Sequence, residues 1–290
     1  MSNYVIMTDS GCDLPASLAE EMQLCVLPLT VYLDDETFHN YLDGREIGFH
    51  EFYEKLKGAK NVKTSAINQG TFMEAMEEYL AAGTDVLYLG FSSGLSGTFN
   101  AGLLAANELA EKYPERKIYA VDTLCASMGQ GLFVYHCWQQ KQAGKTIEEV
   151  RDFAEKLVPQ LCHWFTVNDL MFLKRGGRVS AATAIVGSAL AIKPVMHVDD
   201  EGHLIKTGVA RGRKASIRAL VAEMEKLAID PAGQHVFISH GDCEDEAKYM
   251  AELIREKFGV KDFTINYVGP VIGAHSGPGT LALFFLGKNR

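Results

Sequence analysis

A loop rich in hydroxyl groups and glycine, residues 92–98, is the segment of this chain best suited to chemistry. Its sequence is Ser-Ser-Gly-Leu-Ser-Gly-Thr; an apolar run at 86–91 precedes it, and a helix is predicted at 98–111. A loop between a strand and a helix directs backbone N–H groups and the positive end of the helix dipole at one place, which attracts a carboxylate or a phosphate. Helix capping alone is the simpler interpretation, but a cap uses one hydroxyl and this loop has four.

A second segment of interest, 269–280, is rich in glycine and proline and contains a single histidine, His275. We expect it to lie between a strand and a C-terminal helix. Glycines let the backbone approach a ligand closely, and a histidine can donate to an anion or exchange a proton near neutral pH. Residues from Gly277 to Ala282 match G-x-G-x-x-A formally, but too few residues follow for a dinucleotide-binding unit. A purely structural histidine remains the alternative.

Three further groups carry polar or basic side chains in predicted loops. Thr64 and Ser65 precede a helix that is predicted to begin near Gly70, where a turn and a cap would explain them equally well. Arg178 ends the basic, glycine-containing stretch 174–178, and Arg211 begins a basic stretch at the start of another predicted helix. Both arginines could contact an anion or a partner protein, or they could be solvated surface charges.

A serine-hydrolase interpretation must be considered, because Ser96 and His275 could meet in space. The nucleophile elbow requires G-x-S-x-G, whereas here Thr98 stands where the last glycine belongs. No acidic partner for the histidine is evident, and the chain has neither a phosphate-binding P-loop motif nor H-E-x-x-H. These patterns favour a binding protein that uses Ser and His as hydrogen-bond donors, with no catalytic residues and no metal ligands.

Composition and charge exclude several classes of protein. The net charge of -9 argues against nucleic-acid binding, and no apolar run approaches the length of a membrane span, about 20 residues. The N-terminal residues do not resemble a signal peptide, and the six cysteines are scattered without a C-x-x-C motif. We therefore expect a cytoplasmic protein with reduced cysteines.

The order of predicted elements indicates an α/β protein with two domains. In residues 1–158, strands alternate with helices, which predicts an α/β/α domain with a mostly parallel sheet. Asp9 and Ser10, the loop 92–98 and Asp122 all directly follow predicted strands, so they should share the carboxyl edge where such sheets bind ligands. Residues 159–290 predict a mixed α+β domain, with a charge-free helix at 181–192 and a hairpin formed by 195–198 and 203–207.

Several of these segments together resemble the DegV family of bacterial fatty-acid-binding proteins, which includes the carrier subunits of fatty acid kinase. The resemblance covers nearly the whole chain. It depends on the order and spacing of short motifs, since each alone is weak. The motifs are Thr8-Asp9-Ser10, Thr64-Ser65, 92–98, Asp122 with Ser127, Gly129 and Gly131, 173–178, 193–195 and 273–279.

The resemblance implies that a fatty acid of 16 to 18 carbons lies in a cleft between the two domains, with no cofactor. Thr64, Ser96, Gly97 and His275 would bind its carboxylate. The supporting loops would contain Asp9, Ser10, Ser65, Ser93 and Gly277. Arg178 and Arg211 would dock the partner, the catalytic subunit of a fatty acid kinase, or contact the phosphate. Such a carrier could also contact a membrane transiently. An acyl hydrolase that uses Ser96 and His275 and a binder of another small anion remain the alternative functions.

Overall fold

The computed structural model describes residues 3–180 and 192–290. None of the helices in these two ranges is long and apolar enough to cross a membrane. The strands are β1 (Tyr4–Asp9), β2 (Cys25–Leu27), β3 (Thr30–Leu33), β4 (Glu36–His39), β5 (Val62–Ser65), β6 (Asp85–Gly90), β7 (Ile118–Asp122), β8 (Leu161–Thr166), β9 (Ile192–Val198), β10 (Leu204–Arg211), β11 (His235–His240), β12 (Asp262–Tyr267) and β13 (Leu281–Leu286).

Helices connect most of these strands. They are α1 (Ala16–Glu21), α2 (Phe49–Gly58), α3 (Gln69–Ala81), α4 (Thr98–Lys112), α5 (Met128–Gln142), α6 (Ile147–Leu157), α7 (Leu170–Arg175), α8 (Arg213–Leu227), α9 (Glu244–Phe258) and α10 (Pro270–Ser276). The helix predicted at 181–192 falls outside the described residues, apart from its last residue, Ile192, which begins β9.

A four-stranded parallel sheet in the order β2-β1-β6-β7 forms the centre of the N-terminal half. All six residues of β1 are buried, because helices cover the sheet on both faces. Successive residues of β1 and β6 pack into two different hydrophobic cores. Ile6 and Leu87 belong to one core, and Met7 and Tyr88 belong to the other. The predicted α/β/α arrangement is confirmed, and with it the shared carboxyl edge of β1, β6 and β7.

A small antiparallel sheet in the order β4-β3-β5 corrects two predictions. The apolar sequence of residues 25–31 predicts a single strand, but these residues belong to two strands in different sheets, because Pro28 lacks the N–H that a continuous ladder needs. Thr64 and Ser65 are not in a turn or post-strand loop but in β5, where Thr64 pairs with Val31.

A six-stranded mixed sheet, in the order β10-β9-β8-β13-β11-β12, organises the C-terminal half. The prediction of a C-terminal helix was wrong. The run Leu-Ala-Leu-Phe-Phe-Leu forms β13 instead, antiparallel to both β8 and β11. Five of its six residues are buried, which suits an apolar run with a neighbouring strand on each side. The glycine-rich segment 269–280 therefore connects two strands, and it contains α10.

The predicted hairpin in this sheet is confirmed, with longer strands than expected. It is formed by β9 and β10, and its register shifts between Lys206 and Gly208. The short helix α7 was not predicted, since its sequence offers only one and a half helical turns. Asp169 caps it by accepting a hydrogen bond from Met171 N. This helix leads into the basic loop that ends at Arg178.

One buried hydrogen bond connects the two halves near the cavity described below. Tyr53 of α2 is fully buried, and its hydroxyl donates to the carbonyl oxygen of Val268 at 2.7 Å. We expect Tyr53→Phe to lower the free energy of unfolding by about 1–3 kcal/mol, because it leaves a buried carbonyl without a partner. Urea unfolding followed by circular dichroism measures this change.

Tyr249→Phe is the matched control, because its hydroxyl accepts only a 3.4 Å bond from Arg218 at the surface. We expect it to change stability by less than about 0.5 kcal/mol. Equal destabilisation by both substitutions would show that the Tyr53 hydroxyl does not hold the two halves together.

Candidate functional site

A cavity lies where the small antiparallel sheet, the carboxyl edge of the parallel sheet and the six-stranded sheet meet; its empty space, including the part open to solvent, is about 940 Å³. Most of its wall is apolar; representative residues are Leu29, Phe91, Phe165, Leu173, Val271 and Ile272. A wall of this kind suits a ligand that is largely hydrocarbon.

A hydrogen bond between Thr64 and His275 marks the polar part of the wall. Thr64 Oγ1 lies 2.8 Å from His275 Nε2, so β5 meets the last turn of α10. The other ring nitrogen, Nδ1, is buried without a hydrogen-bond partner among the described residues. Gly176 packs against that edge of the ring, where a Cβ would lie only 2.2 Å from Nδ1. Both Thr64 and His275 line the cavity as expected.

The start of α4 supplies the second polar element. Gly97 is the N-cap of this 15-residue helix and provides no side-chain cap. Ser96 Oγ lies 2.9 Å from Thr98 Oγ1 and accepts a hydrogen bond from Thr98 N at 3.2 Å. Ser96 and Gly97 both line the cavity, so the positive end of the helix dipole meets it. Ser96 therefore caps the helix and also reaches the cavity.

Arg178 is the one charged residue among the described residues of the cavity wall. Its guanidinium is half-buried and donates to the carbonyl oxygens of Leu95 and Gly176. Burial lowers the pKa of Arg178, but a guanidinium stays protonated in proteins. Burial, together with this neighbouring charge, lowers the pKa of His275 to about 4. At neutral pH the cavity thus contains one cation and an uncharged imidazole.

Two of the predicted supporting residues organise the loops and do not line the cavity. Asp9 is fully buried; its carboxylate accepts hydrogen bonds from Gly11 N, from Phe91 N and from the hydroxyl of Tyr88. Burial raises its pKa, while these bonds lower it. Ser10 Oγ accepts a bond from Leu29 N at 2.9 Å, which holds a residue of the cavity wall.

Of the remaining predicted residues, one lines the cavity and the others lie outside its wall. Ser65 lines the cavity. Ser93 is exposed, and its backbone N–H donates to Asp122 at 3.3 Å. Gly277 has a φ of 78°, and a Cβ there would lie 2.6 Å from the ring of Phe172, so only glycine fits. Arg211 lies at the exposed end of β10, outside the cavity wall, and its docking role stays a prediction.

Sequence reasoning assigned no role to a second group of polar residues in the wall: Ser127, His163 and Ser239. Ser127 was noted only as part of a motif. Its hydroxyl donates to Asp13 Oδ2 at 2.6 Å and lies 2.9 Å from Ser239 Oγ. Burial raises the pKa of Asp13 to about 8. No sequence signal marks His163 or Ser239, because each is one residue within an ordinary apolar strand.

The hydrogen bonds do not join Ser96 to His275. Ser96 pairs with Thr98, and His275 pairs with Thr64. The pairing that a Ser-His nucleophile requires is therefore not formed in this arrangement.

One surface group among the described residues has the side chains of a metal site. The ligand atoms of His50, Glu54 and Asp242 lie within 4.8 Å of one another. None of these residues lines the cavity, and His50 Nδ1 already lies 2.9 Å from Asp242 Oδ1.

Comparison with known proteins identifies the family. Residues 3–288 match the family described as "Uncharacterised protein, DegV family". The chain belongs to the DegV family. The DegV domain-containing protein CPE0026 of Clostridium perfringens is 46% identical over 290 residues, which cover 100% of this chain and 99% of the relative.

Two solved DegV structures share this fold over nearly their whole length. A DegV lipid-binding protein from Thermotoga maritima superposes with a TM-score of 0.86 at 29% identity, covering 100% of both chains. A DegV-family protein from Thermus thermophilus, described for its fatty-acid binding, has a TM-score of 0.86 at 30% identity, with 97% of this chain and 98% of that chain covered. The fold predicted for this DegV-family chain is thereby confirmed.

The electrostatics of the site predict an abnormal titration of His275. Its lowered pKa means that protonation is disfavoured, so the ring should be neutral throughout pH 6–8 and gain a proton only near pH 4. Arg178→Gln removes a repelling charge and should raise the pKa of His275 measurably, while burial keeps it below 6.5. NMR titration of the ring protons measures both. A wild-type midpoint near 6.5 would contradict the buried, charge-repelled environment.

Proposed function

We propose that this chain is a carrier that binds a long-chain fatty acid without catalysing a reaction itself, and presents the carboxylate to a partner kinase for acyl-phosphate formation. One observation carries the proposal: an apolar cavity has the Thr64–His275 pair and the N-terminus of α4 in its wall. Relatives described as lipid-binding and fatty-acid-binding proteins support it by analogy.

The apolar part and the polar part of the cavity would contribute to binding in different ways. Burial of an acyl chain in the apolar part contributes about 0.8 kcal/mol per methylene, so the tail supplies most of the affinity. Thr64, Ser96 and the N–H of Gly97 would hold the carboxylate through hydrogen bonds. Arg178 would supply a positive charge, with the neutral His275 beside it.

The size of the ligand and the domain division belong to the same proposal. An acid of 16 to 18 carbons would lie between the domain formed by 1–158 and the domain formed by 159–290. All strands of the six-stranded sheet come from the second range, and those of the other two sheets come from the first. The cavity wall draws residues from both.

The partner in this proposal is the catalytic subunit of a fatty acid kinase. Arg178 at the cavity and Arg211 at the exposed end of β10 would dock that partner or steady the acyl phosphate, because the planar guanidinium pairs well with phosphate. A cytoplasmic site of action, with transient membrane contact to collect the acid, follows from this role.

Removal of a head-group hydroxyl should weaken binding of the acid specifically. We expect Thr64→Val and Ser96→Ala each to weaken the binding of octadecanoic acid about ten- to a hundredfold, because each loses a hydrogen bond to a charged group. Thr64→Ser should retain most of the affinity. Isothermal titration calorimetry measures these changes.

The controls distinguish head-group recognition from loss of folding. Thr37→Val makes the same change at an exposed position of the same three-stranded sheet and should leave affinity unchanged. The methyl ester of octadecanoic acid should bind wild type less tightly than the acid and be little affected by Thr64→Val. If Thr64→Val weakened the binding of the acid and of the ester equally, Thr64 would not recognise the carboxylate.

The kinase step should depend on Arg211 without affecting ligand binding. Arg211→Ala is expected to leave fatty-acid affinity nearly unchanged and to depress acyl-phosphate formation by a cognate fatty acid kinase, most strongly at low salt if docking is electrostatic. Lys206→Ala removes a partly exposed cation from the same edge strand and is the control. Wild-type phosphorylation rates in Arg211→Ala at every salt concentration would show that Arg211 is only a solvated surface charge.

A further inference from the structure

The cavity wall has a second polar region that the carboxylate does not need. Ser239 of β11, Ala282 of β13 and Phe165 of β8 stand side by side in the sheet and all line the cavity. His163 precedes Phe165 by two residues, so it lies on the same face of the sheet. Ser127, just before α5, completes the group.

The side chain of His163 is buried, and one of its ring nitrogens has no hydrogen-bond partner among the described residues. It is only 4% exposed, and its ring packs against Phe284 with the ring centroids 4.6 Å apart. Burial lowers its pKa well below the usual value, so the ring is neutral. The nitrogen concerned is Nδ1. A ring nitrogen that is buried in an apolar wall without a hydrogen-bond partner is unfavourable.

The two serines form a short hydrogen-bonded chain with Asp13 and line the same cavity as His163. Ser127 lies 2.6 Å from Asp13 Oδ2 and 2.9 Å from Ser239 Oγ, and either serine can be the donor in the second contact. In either case Ser239 Oγ keeps unused hydrogen-bonding capacity. Ser127 has a φ of 53° and a ψ of -148°, an uncommon backbone conformation for a residue other than glycine. Surrounding structure must hold such a conformation, and these conformations are concentrated at functional sites.

A plain methylene chain would leave His163 Nδ1 without a partner and the spare hydrogen-bonding capacity of Ser239 unused. The geometry points to a polar subsite, formed by His163, Ser127 and Ser239, for a hydroxyl group carried along the acyl chain. The ligands of this cavity therefore include hydroxylated long-chain fatty acids. A hydroxyl fits better than a keto oxygen, because a hydroxyl can both donate and accept a hydrogen bond whereas a keto oxygen only accepts. This inference rests on the proposed fatty-acid binding and narrows its substrate class.

The test compares octadecanoic acid with a set of octadecanoic acids that each carry one hydroxyl at a different carbon. In a tunnel without polar partners, every hydroxyl would weaken binding about ten- to a hundredfold. We expect one position, or two adjacent positions, to bind wild type at least as tightly as the parent acid, while the others show that loss. Competition calorimetry gives the full series.

Substitutions in the subsite should remove this preference and nothing else. We expect His163→Phe to weaken the favoured hydroxy acid about tenfold and to leave octadecanoic acid unchanged or slightly tighter. Ser239→Ala should act in the same direction and gives the answer if His163→Phe does not fold. His197→Phe is the matched control: it is a buried histidine paired with Trp164, on the other face of the sheet and outside the cavity wall.

The outcomes are distinguishable. If all hydroxy acids lost affinity equally in wild type and in both subsite variants, the polar group would hold an ordered water only, and the inference would be overturned. If octadecanoic acid itself did not bind wild type, the proposed function would fail first. A favoured position that persists in both subsite variants would assign the hydroxyl to other residues and also overturn the inference.

Discussion

The hydrogen bond between Thr64 and His275 is the contact on which the arrangement of the cavity depends. It joins residues that are 211 positions apart in the chain, one in a strand of the small antiparallel sheet and the other in the helix that connects the last two strands of the six-stranded sheet. Gly176 closes against the opposite edge of the ring, so three distant segments fix one imidazole.

The electrical character of the site follows from that burial. A buried imidazole beside a guanidinium is held neutral, so it can orient a ligand through a hydrogen bond without adding a second positive charge. Arg178 is anchored by the backbone carbonyls of Leu95, in the loop before α4, and of Gly176, in its own loop. An anion therefore meets a fixed cation, a helix terminus and neutral hydroxyls, which together offer charge compensation with little rearrangement.

The parallel sheet and its carboxyl edge were predictable because alternation of strands and helices leaves few topologies, and because β1 and β6 are continuous apolar runs. Thr64 was placed in a loop, since the pairing of β5 with β3 depends on a break at Pro28 that local propensity does not position. The residues of β13 suit a buried helix as well as a buried strand, so only their neighbours decide. The positions of His163 and Ser239 in the cavity wall could not be predicted, for a similar reason. They meet through the register of strands far apart in sequence, which no single segment encodes.

The position of β13 within its sheet also constrains how the molecule is made. This strand is the shared neighbour of β8 and β11, although both precede it in the chain. During synthesis the parallel sheet can assemble from contiguous βα segments. Until β13 is made, β8 and β11 each keep one unpaired edge, on the side where β13 will insert. Such edges are prone to pair with other chains. The chain is therefore most prone to misassembly before β13 emerges from the ribosome. Only the insertion of β13 between β8 and β11 completes the cavity wall against which an acyl chain could pack.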